Sequence, residues 1–435
     1  MVTFSLEPAQ LRAIKELKNL NYSLLHGDPG TGKTLIALSL HKKLLHNNTV
    51  VVAPAYLLAN WEGEIQKFYP DIEYKIFTSS KDVKQVPGVT LYLISYGILK
   101  ACDGLFSWAD LVVADEAHFL KDIRSIRTNS FHKLVYENSV KRLVLATGTP
   151  ITNRVWEFYS LMALCEYDPS KGDSAFLNKF KSYVDFADYF SFRQEYKIKQ
   201  GKYHRNIVKY SGIQRAEELK QWLKRIRVRV KLEEVMSEGL PGSLDRDITF
   251  STIDNPELEQ AFTKFIVEGG DSVASDIKAR AALEKVPLTI EYVKDLLSSG
   301  VEKVLVYTDH VEAATALAKA FDVSCITGKT DLNWRRRLAN SFQDGDSPVL
   351  IATIGAFSTG VTLTACNNTV FNDICWTPGV LEQAKARTLR KGQKKKCFYH
   401  YIVKFSQDLK IKKALADKEK VIAITNEESK AWQYL

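Results

Sequence analysis

The sequence predicts an α/β protein made of two doubly wound parallel-sheet lobes with a helical subdomain between them. Three observations carry that expectation. Short, continuously apolar runs recur along both halves, and each ends at a polar residue, the pattern of parallel strands covered on both faces. A glycine-rich stretch lies between one such run and a helical one. The chain has 435 residues, too many for one ordinary core. The expected boundaries are residues 1–160 for the first lobe, 161–245 for the middle segment and 246–435 for the second lobe.

In the first lobe the predicted strands are Tyr22–His26, Thr49–Ala53, Leu91–Ile94, Leu111–Ala114 and Leu143–Ala146. They end at the glycine-rich loop, Pro54, Ser95, Asp115 and Thr147. In open α/β sheets ligands bind along this carboxyl edge. The middle segment, from about Trp156 to Thr249, is rich in aromatics and lysines and reads as mostly helical. Phe176, Phe180 and Tyr183, then Phe186, Tyr189 and Phe190, fall at helical spacing. A stripe of that period is more often core than a base-stacking platform beside Lys179, Lys181 and Arg193. Arg225–Lys231 alternates basic and apolar residues, as a strand or a linker with one basic face would. Leu240-Pro241-Gly242 interrupts regular structure and marks a boundary. The second lobe repeats the first, with strands at Lys303–Tyr307, Val349–Ala352, Thr369–Phe371 and Phe398–Val403.

Composition narrows the function classes. Hydrophobic residues at 45% and charged residues at 26% fit a soluble globular chain. No apolar run is long enough to span a bilayer, so no membrane partner is expected. The start, Met1–Glu7, lacks the basic and apolar regions of a secretory signal. Six scattered cysteines without a CxxC pair argue against a disulfide framework or a cysteine zinc site and for a reduced compartment, so a cytoplasmic location is expected. A net charge of +9 favours polyanionic partners only if the charge gathers on one surface.

Four motifs carry chemistry. Gly27-Asp28-Pro29-Gly30-Thr31-Gly32-Lys33-Thr34 fits the phosphate-loop pattern GxxxxGK[ST]. Such a loop wraps a polyphosphate with backbone N–H groups and a helix N-terminus. Lys33 is expected to reach the outer phosphates and Thr34 to ligate Mg²⁺. Asp115 and Glu116 close an apolar strand; Asp115 is assigned to the metal and Glu116 to the attacking water. His118 beside them has no second metal ligand at credible spacing, so a polar bridging role is expected. Thr147-Gly148-Thr149-Pro150 ends a further strand; taken alone it is equally an ordinary Gly-Thr-Pro turn or a link whose hydroxyls join the carboxylates to a nucleic-acid groove. Arg387 and Arg390, three apart, would share one helix face and suit the charge on a transferring phosphoryl group.

The order of these motifs resembles superfamily 2 helicases, and more narrowly Swi/Snf-like DNA translocases. Gln10, just after Pro8, is similar to the adenine-reading glutamine of that motor. Ala53–Trp61 resembles its groove motif, Asp115–Asp122 its DEAH-type motif, and Thr147–Asn153 its coupling motif. Ala352-Thr353 with Gly360–Thr364 resembles motif V, and Trp376–Gln393 is similar to the corresponding segment of annealing helicases that remodel stalled forks. Two positions depart from the family: Ser358-Thr359-Gly360 stands where a glycine pair is usual, and Leu389 where a histidine is usual.

The resemblance implies two RecA-like lobes of a P-loop NTPase using ATP and Mg²⁺. It implies catalytic roles for Lys33, Asp115, Glu116, Gln383, Arg387 and Arg390, and nucleotide contacts that also include Gln10 and Gly360. It implies nucleic-acid contacts at Pro54, Tyr56, Trp61, Ser95, Tyr96, Thr149, Gly328, Lys329 and Thr353. The implied partner is DNA, forked or branched duplex, and the motor is expected to act as a monomer. Little chain precedes Gln10, so the compact form resembles a viral or mobile-element motor, which would work in the host cytoplasm. An RNA-directed helicase of the same superfamily and an ATP-gated DNA clamp with little turnover are the alternatives.

Overall fold

The computed structural model describes residues 4–44, 48–150, 154–167, 174–200, 203–236, 241–261, 275–359 and 361–426. The chain divides into two compact units. One holds residues 1–192, 210–237 and 424–426; the other holds 193–209, 238–423 and 427–435.

The first unit is built on β1 (Tyr22–Gly27), β2 (Thr49–Ala53), β3 (Tyr74–Phe77), β4 (Leu91–Ser95), β5 (Leu111–Asp115) and β6 (Arg142–Thr147). The middle segment contributes a two-stranded ribbon, β7 (Phe192–Gln200) and β8 (Tyr203–Ser211), most of which is grouped with the second unit, and then β9 (Arg227–Val230), which belongs to the first. The seven-stranded sheet runs β3-β4-β2-β5-β6-β1-β9, and every pairing in it is parallel. All five strands expected in this lobe are present. Their residues are buried on both faces, as the unbroken apolar runs require.

The second unit holds β10 (Ser243–Ile253), β11 (Val304–Thr308), β12 (Cys325–Ile326), β13 (Val349–Thr353), β14 (Asn368–Phe371) and β15 (Cys397–Phe405). Its sheet runs β10-β15-β14-β11-β13-β12 and is parallel throughout. The expected α/β class with two parallel sheets is therefore found. Five strands escaped the sequence reading: β3, β7, β8, β10 and β12. β3 and β12 are short, and the 11-residue β10 directly follows the Leu240–Gly242 interruption. β9 was read only as strand or linker.

The middle segment is less helical than expected. Its stripe splits into two short helices, Ala175–Lys179 and Tyr183–Phe190. Ser182 starts the second by accepting from the Asp185 N–H at 3.3 Å while the Asp185 carboxylate accepts the Ser182 N–H at 2.9 Å, a capping box that ends continuity with the first. Phe176, Phe180, Phe186 and Phe190 are buried against one another and against Trp222, the core role favoured above. Tyr183 departs from the stripe and meets Trp156 and Arg124. Lys179 holds Glu218 at 2.6 Å. The ribbon β7–β8 was missed because its alternation is basic and apolar, which reads as a solvated helix as easily as a strand.

β9 lies beside β1, with Leu25 opposite Val228 and Gly27 opposite Val230. Val228 and Val230 are buried while Arg227 and Arg229 are only partly covered, an alternation that guards a sheet edge with charge. The first sheet thus takes its last strand from beyond residue 160.

In the second unit a buried ion pair joins two long helices, Ser275–Ser298 and Ser406–Asn426. Lys285 Nζ lies 2.6 Å from Asp408 Oδ1, and the side chains are 2% and 4% exposed. Asp408 Oδ2 also accepts the N–H groups of Lys404 and Phe405 at 3.1 and 3.0 Å. Among the described residues no helix is long and apolar enough to cross a membrane.

Three buried histidines are held neutral. Burial pushes His41, His132 and His400 down to about 4. Each is hydrogen-bonded: His41 to Thr49 at 2.8 Å, His132 to Ser160 at 3.0 Å and His400 to Asn368 at 3.1 Å. The unfolded chain protonates these rings near pH 6.5 and the folded chain does not. Their contribution is therefore neutral above that pH and increasingly unfavourable as pH falls towards 4. Each can cost up to about 3 kcal/mol at the acid end. The urea midpoint is expected to be flat from pH 8 to 7 and to drop clearly by pH 5; an unchanged midpoint at pH 5 contradicts this.

Candidate functional site

In the first unit the expected chemistry gathers at the carboxyl ends of three adjacent strands, β5, β6 and β1. Asp115 is opposite Ala146 and His26 opposite Thr147. The three strand ends therefore lie side by side at the ordinary spacing of about 4.8 Å.

The loop after β1 is closely fitted. A Cβ on Gly27 would fall 2.6 Å from Thr31 Oγ1 and 2.9 Å from Lys33 Cγ, so a side chain there would displace both. Gly32 has φ +77, and a Cβ on it would meet Gln10 Nε2 at 2.6 Å. Lys33 folds back so that Nζ donates to Gly27 O at 2.9 Å. Thr31 Oγ1 donates to Asp28 O at 2.8 Å. The helix Lys33–Lys43 begins here without a side-chain cap, and the N–H groups of a helix's first turn have no helical acceptor. Loop and helix end together favour an anion.

Asp28 differs from the rest of the loop. Its carboxylate is 2.6 Å from Arg229 and accepts the Leu232 N–H at 2.9 Å, and its own N–H donates to Val230 O at 3.0 Å. Both polar groups of this predicted nucleotide contact are thus spent on β9 and the turn after it. Asp28 is a strut that fixes the loop to the sheet edge, and Arg229, which sequence reasoning did not single out, is its partner. The basic-apolar alternation around Arg229 was the available signal.

Asp115 is 6% exposed. Its Oδ2 accepts the Trp61 indole N–H at 2.9 Å, its Oδ1 accepts the Glu116 N–H at 2.9 Å, and its carbonyl accepts the Tyr96 hydroxyl at 2.9 Å. Burial, then the neighbouring Glu116, raises the Asp115 carboxyl to about 6, against the opposing pull of Trp61 and Lys33. A buried carboxyl whose charged form is disfavoured by its surroundings is a site that gains from a cation. Hard oxygens at Asp115 and Thr34, with water and phosphate completing the shell, match the few protein ligands Mg²⁺ takes in phosphoryl-transfer sites. No cluster of three or more His, Cys, Asp or Glu side chains suited to a metal occurs among the described residues.

Glu116 has φ 49 and ψ 50, a left-handed conformation uncommon for any residue with a side chain. That strained turn directs its side chain at His118, whose Nδ1 lies 3.2 Å from Glu116 Oε2 and 3.2 Å from Thr147 Oγ1. His118 Nδ1 thus lies between Glu116 and Thr147, and its hydrogen bond goes to Thr147. Thr147 Oγ1 also accepts the Thr149 N–H at 3.1 Å. Gly148 lies against Pro29, so the end of β6 meets the phosphate loop. Gln10 is 6% exposed; its amide donates to Thr31 O at 2.9 Å and accepts the Glu7 N–H at 3.0 Å.

Two expected nucleic-acid contacts require correction. Trp61 and Tyr96 are 2% and 6% exposed. Their polar atoms support Asp115, and their rings are in the interior, so neither lies open to a groove. Pro54, Ser95 and Thr149 are also largely buried, and Tyr56 is half-buried. Ser95 closes β4 and pairs with Ala53, next to Pro54, so these residues do share one sheet edge.

In the second unit Gly328 and Lys329 are exposed after β12, and Thr353 closes β13 with 6% exposure. Ile326 pairs with Ala352, so both segments leave adjacent strand ends. Gly360 lies outside the described residues, as do Ile151, Thr152 and Asn153. Arg387 and Arg390 do not share a helix face as expected. The helix Pro378–Lys385 stops before them. The Lys385 carbonyl is capped by the Tyr399 and Thr388 hydroxyls at 3.0 and 3.1 Å. The arginines instead occupy the following turns, where the Leu363 N–H donates to Arg387 O at 2.9 Å and Arg390 reaches Val361 O at 3.4 Å. Gln393 holds this turn by donating to Cys366 O at 2.9 Å and Thr364 O at 3.2 Å. Gln383 is half-buried on that same short helix.

Comparison with known proteins agrees with this layout. The chain matches the SNF2-related domain over residues 12–266 and the helicase conserved C-terminal domain over residues 288–392. It is 28% identical over 403 residues to the SWI/SNF-related matrix-associated actin-dependent regulator of chromatin subfamily A-like protein 1 of Xenopus tropicalis, covering 87% of this chain and 40% of the relative. It is 25% identical over 409 residues to the DNA annealing helicase and endonuclease ZRANB3 of Mus musculus, covering 86% and 36%. It is 24% identical to the putative ATP-dependent helicase/translocase YwqA of Bacillus subtilis, covering 87% and 44%. The chain thus spans 36–44% of the length of these relatives. A solved SWI2/SNF2 ATPase core of Sulfolobus solfataricus in complex with dsDNA aligns over 99% of this chain and 96% of that one, with TM-score 0.43 and 20% identity.

Proposed function

The chain belongs to the SNF2-related family, and from that premise we propose that it is an ATP-dependent DNA translocase acting on branched DNA by branch migration, fork reversal or limited unwinding. The observation that carries this reading is the buried Asp115 carboxyl, held by the Trp61 indole and followed by Glu116, at the end of a strand two places from the one that runs into the phosphate loop. A clamp that only bound DNA would need no such poised carboxyl pair.

In this reading Lys33 and the loop amides hold the outer phosphates. Thr34 and Asp115 are the residues that would hold Mg²⁺, which would supply positive charge to the phosphates when bound. Glu116 accepts a hydrogen bond from the attacking water, and His118 keeps the Glu116 side chain in place through Thr147. Gln10 reads the adenine edge with the amide it now shares with Thr31. Arg387 and Arg390 supply positive charge to the transferring phosphoryl group in the catalytic state. The nucleic-acid grip falls to strand-end segments, chiefly Gly328-Lys329 and Thr353, with backbone contacts that are independent of sequence and sensitive to salt.

The test is ATP hydrolysis with no nucleic acid, single strands, duplex, forks, four-way junctions and RNA, with strand displacement scored on the branched substrates. Forks and junctions are expected to stimulate most. Lys33→Ala is expected to lower stimulated turnover at least about a hundredfold, the scale seen when one charge-stabilising donor is lost. Full turnover in Lys33→Ala refutes the site; stimulation by RNA alone redirects the substrate class.

A further inference from the structure

The geometry points to Arg335 as a positioning residue that locks two nucleic-acid-facing segments of the second unit into one body. This rests on the reading that Gly328-Lys329 and the segment after Thr353 grip nucleic acid. Arg335 lies on the helix Leu332–Asp344, whose neighbouring residues Asn333, Trp334, Arg336 and Arg337 are exposed. Arg335 alone in that run turns inward and is 9% exposed.

Its guanidinium makes three hydrogen bonds, all to backbone carbonyls. Nη2 donates to Gly328 O at 2.7 Å, Nε to Thr330 O at 2.8 Å and Nη1 to Ala356 O at 3.0 Å. The first two acceptors flank Lys329 and the third lies in the turn Ile354–Thr359 that follows Thr353. One rigid planar fork therefore sets the distance between two segments that leave neighbouring strands. All three acceptors are main-chain carbonyls, so the geometry it imposes is that of the main chain.

The loop end is braced further by hydroxyls. The Thr327 N–H donates to Thr330 Oγ1 at 3.0 Å, and the Lys329 N–H donates to Thr327 Oγ1 at 3.3 Å. The Lys329 amide is thus aimed by Thr327, Thr327 by Thr330, and Thr330 by Arg335. A lysine at 335 keeps the charge but has no fork; its single ammonium cannot reproduce three donors in one plane. The effect falls on the register between two backbone contact points, which sets how well successive phosphates are met together.

The experiment uses the full chain and forked duplex DNA, comparing wild type, Arg335→Lys and Thr330→Val in a titration of ATPase against DNA. Arg335→Lys is expected to raise the half-saturating DNA concentration about tenfold with a smaller change in turnover at saturation. Thr330→Val, which leaves the buried guanidinium in place, is expected to shift it in the same direction by a few-fold. Amide hydrogen exchange at Gly328–Thr330 is expected to quicken in both. A merely structural role would lower turnover in proportion to folded protein and leave the half-saturating concentration unchanged. That result in both variants overturns the inference. A wild type that no DNA stimulates overturns the functional reading instead.

Discussion

Asp115→Asn is expected to yield a protein that is inactive and more stable than the wild type. The carboxyl is buried and its folded-state value is raised to about 6. An acid raised in the folded state is favourable when protonated, and that advantage is lost as pH climbs through the raised value. At pH 7 the charge therefore works against folding. A shift of about two units corresponds to about 3 kcal/mol. Asparagine removes the charge and can still accept the Trp61 N–H, but it gives up the bond from the Glu116 N–H, a loss of about 1 kcal/mol. The net gain is about 2 kcal/mol, read as a higher melting temperature without nucleotide. The gain is expected to be full above pH 6, to shrink as pH falls and to vanish near pH 4. ATP turnover is expected to fall at least about a hundredfold, since the substitution removes a metal-holding oxyanion. A melting temperature lowered at pH 7 would show that Asp115 is stabilised by its neighbours and is not strained by them.

The second large effect concerns folding alone. Asp408→Ala is expected to destabilise the second unit by about 3–5 kcal/mol, the range for stranding one partner of a buried ion pair. Lys285 would keep its charge in a site where both side chains are nearly inaccessible, and two backbone N–H groups would lose their acceptor. The double variant Lys285→Met with Asp408→Leu is expected to recover much of that loss, because it removes the unpaired charge together with the pair. Urea unfolding of the three proteins measures this; a single variant as stable as the wild type would contradict it.

Much of the architecture was legible because a parallel sheet is written in a simple code. β2, β5 and β13 are unbroken apolar runs, and their ends coincide with the motifs at Pro54, Asp115 and Thr353. Legibility failed where a strand has another vocabulary. β9 is half arginine and β7–β8 sets Arg193, Lys197, Lys199, Arg205 and Lys209 among its apolar residues, so charge masked the period of two. At the site, residue type identified Lys33, Asp115 and Glu116, but it could not say which neighbours serve them. Trp61 and Tyr96 carry the composition of a nucleic-acid groove, yet they are spent on orienting Asp115. Asp28 lies within a phosphate loop by spacing, yet it faces Arg229 because β9 arrives from far along the chain. Arg387 and Arg390 could be paired by number but not by conformation, since the helix ends at a carbonyl capped by Tyr399, which no local pattern foretells.

The place of β9 bears on how the polypeptide must be born. β1 emerges early from the ribosome, but the neighbour that covers its outer edge is made only after the whole aromatic subdomain. Until then β1 presents a bare row of amides and carbonyls at the border of a growing sheet, an open invitation to wrong pairing. A fragment halted at residue 160 would keep that border exposed permanently. The nascent chain must either delay assembling its first sheet or shelter this edge until the closing strand arrives.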